Sequence, residues 1–98
     1  MDMDMGKIKD IVRATVEERF PGVQIEDIWV KERQDDDDDA FVDIVVVIEK
    51  PKSQLDREEL VGFIRHLKTN LMKKDINKFP LLSFVNSNEA RKLKREFV

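Results

Sequence analysis

The sequence predicts a single α+β domain with a three-stranded mixed sheet, in the order helix, strand, strand, helix, strand, helix. Three observations predict it. Apolar residues recur at helical steps over residues 5–20 and 56–74. The run Phe41–Ile48 is apolar on both strand parities, as befits a strand in the middle of a sheet. The segments between these runs carry turn and capping residues instead. At 98 residues the chain is too short for two independent cores. Apolar residues make up 41% and charged residues 40%, so the chain is highly charged yet able to build a core.

The first helix, over residues 5–20, repeats Ile8, Ile11, Val12, Val16 and Phe20 on one face. Asp4 is its expected cap, and Pro21-Gly22 its stop, because proline disfavours helical geometry in the residue before it. The first strand spans 23–33 and contains a conflict of parity. Val23 and Ile25 share one side, whereas Ile28 and Val30 share the other. One extra residue near Glu26-Asp27 reconciles them, so a bulge is expected there. The second strand covers 40–50, with Val42, Ile44, Val46 and Ile48 on one face and Phe41, Val45 and Val47 on the other. Between the strands, residues 34–39 hold Gln34 and the run Asp35 to Asp39; five adjacent like charges must stay solvated, which suits a hairpin tip.

The second helix, over 56–74, opens with a capping box at Asp56 and Glu59 and a Leu55–Leu60 staple. Its stripe is Leu60, Phe63, Ile64, Leu67 and Leu71, and the lysines at 73 and 74 favour the negative end of its dipole. The third strand covers 79–85, with Pro80 near its start where a missing donor does least harm. Asn86 and Glu89 form a second capping pair for a helix over 87–97, whose inner face is Ala90, Leu93 and Phe97. The expected sheet is a β-hairpin plus one crossover strand in the order 1-2-3, with 2-1-3 as the alternative, and the helices packed against one face. There is no internal repeat and no linker.

Several functions lack their chemistry. The absence of cysteine removes disulfides, thiolate zinc sites and cysteine nucleophiles, and is compatible with a reducing cytosol. No Gly-x-Ser-x-Gly elbow or Gly-rich phosphate loop occurs, and no acid pair converges, so no catalytic residue and no cofactor are expected. His66, the sole histidine, falls outside the apolar stripe and reads as a partly exposed surface residue. Asp35 to Asp39 lacks the ligand spacing and the glycine of a cation loop, so no metal site is expected either. The N-terminus MDMDMGKIKD lacks the basic start and apolar stretch of a secretory leader, and no run approaches the ~20 apolar residues of a membrane span. A cytoplasmic protein without membrane contact is the expectation.

Charge is strongly divided. Residues 24–43 hold nine acids against two bases, net −7, and residues 65–95 hold nine bases against two acids, net +7. The basic half, Arg91, Lys92, Lys94 and Arg95 above all, offers one set of contacts for nucleic acid. Head-to-tail association of the two halves is a further expectation. The leading one is a protein contact. If all helices cover one face, Trp29, Phe41, Val45 and Val47 leave an apolar patch on the other, suited to a homodimer or a protein partner. The alternative is that the last helix folds over that face. The sequence thus reads as a small, non-enzymatic protein-interaction or regulatory module, with nucleic-acid binding as the alternative.

The αββαβ order over residues 5–85 resembles the bacterial type of K-homology RNA-binding domain. Together with Pro21-Gly22-Val23-x-Ile25-x-Asp27-Ile28-x-Val30, it also resembles the cytoplasmic C-terminal domain of cation diffusion facilitator transporters. What either resemblance implies is helices on a small sheet. Gly6, Gly22 and Gly62 do not provide the Gly-x-x-Gly grip of the first family, and His66 alone does not provide the ligand set of the second. No functional residue is carried over from either.

Overall fold

The structure, a computed structural model, describes residues 5–34, 37, 40–49 and 57–97. Its elements are α1 (Met5–Arg19), β1 (Ile25–Gln34), β2 (Ala40–Ile48), α2 (Arg57–Lys73), β3 (Phe79–Val85) and α3 (Ser87–Phe97). They form one α+β domain whose three-stranded sheet has the order β1-β2-β3. β1 and β2 are antiparallel and β3 joins β2 in parallel, the arrangement expected of a hairpin plus a crossover. The expected roles of Asp4, Leu55 and Asp56 at helix starts, of Asp35, Asp36, Asp38 and Asp39 in the hairpin tip, and of the Arg95 and Phe97 side chains lie outside the described residues. Asp37 is exposed in a turn.

The predicted stripes build the main core. Ile8, Val12 and Val16 of α1 and Phe63, Leu67 and Leu71 of α2 have no exposed surface and pack on Val42, Ile44, Val46 and Ile48 of β2. Phe20, Phe63 and Phe84 form a ring cluster with centroids 5.5 to 6.0 Å apart. The Phe20 N–H donates to the Val16 carbonyl at 2.7 Å and the Val23 N–H to the Phe20 carbonyl at 3.0 Å, so the chain turns back at Pro21-Gly22 and delivers β1 to the same core. Thr15, buried in the α1–α2 seam, donates to the Ile11 carbonyl at 2.7 Å and accepts from Asn70 Nδ2 at 3.0 Å. Satisfied on both counts, it costs the seam little.

The bulge is present. Ile25 pairs with Ile48 and Asp27 with Val47, so Glu26 is the extra residue. Both Ile25 and Ile28 thereby reach the core that strict alternation would deny to one of them. The displaced Asp27 carboxylate accepts the Ile28 N–H at 2.8 Å and the Trp29 indole N–H at 2.9 Å.

One expectation is corrected. The helices do not all lie on one side, because α3 covers the face opposite α1 and α2. A second, smaller core there joins Val45, Val47 and Val85 to Ala90, with Trp29 and Leu93 packed against it. Val45 and Val47 are only 4% exposed, so they are not open interface residues. The reason is the one the sequence stated in another form: a strand apolar on both parities needs cover twice. The Asn86–Glu89 box secures the covering helix. Glu89 N–H donates to Asn86 Oδ1 at 2.9 Å, and Asn86 N–H donates to Glu89 Oε1 at 3.3 Å.

The end of α2 has a cause that its lysines do not supply. Ile76 N–H donates to the Leu71 carbonyl at 2.9 Å, Asp75 N–H donates to the Met72 carbonyl at 3.0 Å, and Asp75 has φ 62°. This is a Schellman closure with aspartate where glycine is usual, and Ile76 supplies the accompanying contact with the core. Asp75→Gly is therefore expected to stabilise the domain by roughly 0.5–1 kcal/mol, since it relieves a left-handed side chain and removes an acid from the negative end of a helix. A urea midpoint that stays put or falls would contradict this account.

Candidate docking groove along the β3 edge

β1 and β3 are both edges of the sheet, and they are built differently. β1 carries Glu26, Asp27, Lys31, Glu32 and Arg33 among its ten residues. β3, FPLLSFV, carries no charge. Charges along an edge discourage another strand from pairing with it, whereas an uncharged edge invites one. Among the described residues no strand pairs with the outer side of β3.

The surroundings of β3 form a trough. Toward its C-terminal end, a groove of about 700 Å³ is walled by Leu60 and Ile64 of α2 and by Lys92 and Leu93 of α3, with Leu82–Val85 as its floor. Toward its N-terminal end, a second hollow of about 630 Å³ is lined by Lys68, Met72, Ile76 and Phe79. These walls follow from topology. The crossover lays α2 along β3, and α3 leaves the strand at Asn86 and returns over the other face.

Three of the four large apolar side chains left in the open among the described residues gather here. Phe79 is 51% exposed, Leu81 46% and Met72 54%. In register, Phe79 lies beside Phe41 and Leu81 beside Asp43, beyond the part of the face that α3 covers at Val45, Val47 and Val85. Lys68 Nζ sits 5.6 Å from the Phe79 ring centroid, a cation–π contact that holds the ring at the mouth of the hollow. Two ion pairs stiffen this end of the sheet: Lys78 Nζ to Glu32 Oε2 at 3.0 Å, and Arg33 Nε to Asp43 Oδ2 at 3.0 Å.

The residues singled out from sequence fare unevenly. Trp29 and Phe41 are half-buried and stand apart, Trp29 beside Val45 and Phe41 between Arg33 and Phe79. Arg91, Lys92 and Lys94 are exposed on α3, and Lys92 reaches the groove. His66 bridges helices, its Nε2 3.1 Å from Glu18 Oε1 on α1. Among the described residues no three acids or histidines converge as metal ligands, and no helix is long and apolar enough to cross a membrane. Sequence reasoning treated Leu60, Ile64 and Leu93 as core and passed over Phe79 and Leu81. The uncharged composition of FPLLSFV was the available signal, and it became meaningful once strand order made β3 an edge.

Comparison of the chain with protein-family models, with curated proteins and with solved structures finds no match.

Proposed function

We propose that this chain is a non-enzymatic protein-interaction module that receives an extended segment of a protein along the β3 edge. One observation carries the reading: the strand that lacks charge is also the edge flanked by two hollows lined mostly by apolar side chains. An added strand would form main-chain hydrogen bonds with β3, while alternate side chains enter the two hollows. Affinity would come from the backbone ladder and selectivity from the pockets.

Peptides selected from a random display library test this. The expected result is that bound peptides shift the amide signals of Leu82–Val85 and Leu93, and that Leu81→Lys weakens them about tenfold, equivalent to ~1.4 kcal/mol. The substitution leaves the core alone because Leu81 is half exposed. Selected peptides that leave these amides unmoved would end the proposal. Single-stranded RNA and duplex DNA provide the counter-test, since nucleic-acid binding is the second reading favoured by the exposed Arg91, Lys92 and Lys94. Shifts confined to α3, and lost with added salt, would favour it instead.

A further inference from the structure

We infer that the segment received along β3 is acidic: an extended peptide whose apolar middle is flanked at both ends by aspartate or glutamate. This rests on the docking reading above and adds the chemistry of the occupant. Charge separates the two edges of the sheet. β1 carries Glu26, Asp27 and Glu32 against Lys31 and Arg33, whereas β3 lies inside the stretch 65–95, whose net charge is +7. An acidic strand is turned away from the first edge and drawn to the second.

The hollows show where the attraction acts. Their lining holds three lysines, Lys68, Lys78 and Lys92, and one acid, Glu89. Glu89 Oε1 accepts the Asn86 N–H at 3.3 Å in the capping box, and Lys78 pairs with Glu32 at 3.0 Å. Lys68 and Lys92 are exposed, and neither forms an ion pair among the described residues. They stand toward opposite ends of β3, Lys68 on α2 by the Phe79 ring and Lys92 on α3 with Leu93. Glu58 and Glu59, in the first turn of α2, line neither hollow. A seven-residue strand spans about 20 Å, so acids roughly six positions apart meet both lysines at once. The apolar residues between them enter against Leu60, Ile64 and Leu82. A nucleic acid is also negative, but its phosphates only accept hydrogen bonds. The open side of an edge strand presents both N–H and C=O groups; a peptide backbone satisfies both and a phosphate backbone only the first.

Three matched peptide libraries test the inference, each with a randomised apolar centre flanked by paired glutamates, paired glutamines or paired lysines. The tightest binders that shift the Leu82–Val85 amides are expected from the glutamate set. They should bind about tenfold tighter than the same centres flanked by glutamine, an advantage that shrinks as salt rises. The double variant Lys68→Glu with Lys92→Glu should reverse the ranking in favour of lysine-flanked peptides. Both side chains are exposed, so the fold is kept. Equal binding of glutamate- and glutamine-flanked peptides would overturn the inference and leave the docking reading intact. So would a double variant that still prefers glutamate. Shifts in none of the three sets would end the docking reading itself, and the inference with it. If single-stranded RNA displaces the peptides and shifts the same amides, the trough reads phosphate. If raising the concentration of the protein alone shifts them, a second copy fills the edge. Either result overturns the acidic peptide as the occupant.

Discussion

Phe63→Ala is expected to lower the stability of the domain by about 3–5 kcal/mol, the range for deleting a buried aromatic ring. Phe63 has no exposed surface and contacts the rings of both Phe20 and Phe84, so its removal leaves a cavity bordered by the loop after α1, by α2 and by β3. Domains of this size are typically stable by only about 5–15 kcal/mol, and the variant would retain a small remainder. Urea unfolding followed by far-ultraviolet circular dichroism measures the change. A loss below about 1 kcal/mol would mean that the three rings do not hold these elements together. The same cavity would loosen the β3 backbone, so peptide affinity should fall with stability.

Ala90→Asp should separate the two cores. Ala90 is 6% exposed against Val45, Val47 and Val85, and an unpaired carboxylate forced into that site costs on the order of 3 kcal/mol or more. Among the described residues, the helix's apolar packing is confined to this small core, because the larger core lies on the other side of the sheet. α3 is therefore expected to detach while α1, α2 and the sheet stay folded. The fluorescence of Trp29 should shift to the red as its cover departs, and helical content should fall by the share of α3 alone. Peptide binding should also disappear, since Leu93 and Lys92 no longer wall the groove. Unchanged fluorescence together with unchanged binding would show that α3 is neither cover nor wall.

Local chemistry made most of the fold legible. Pro21-Gly22 ends α1 where its stripe ends, the clash of parities around Glu26 announces the bulge, and Asn86 with Glu89 marks the start of α3. Each of these is an interaction between near neighbours, so spacing alone reveals it. The C-terminus of α2 is a different case. Its stop depends on Asp75 adopting a conformation that glycine or asparagine would have advertised. The side taken by α3 was also hidden, because an amphipathic helix declares that it covers something but not which face of a sheet. The doubly apolar β2 implied a second cover, and only three-dimensional placement shows that the chain supplies it at Val45 and Val47 and withholds it at Phe79 and Leu81. The candidate docking trough depends on both facts, on strand order and on how far α3 reaches, and neither is a property of any short stretch of sequence.

The charged rim of β1 has a consequence for growth. A filament needs a molecule that can be joined at two ends, and here one end is guarded by Glu26, Asp27, Lys31, Glu32 and Arg33. With β3 occupied, the edge left to a third chain is β1, whose charges discourage pairing. A strand added at β3, as proposed, would therefore cap the sheet rather than seed a filament.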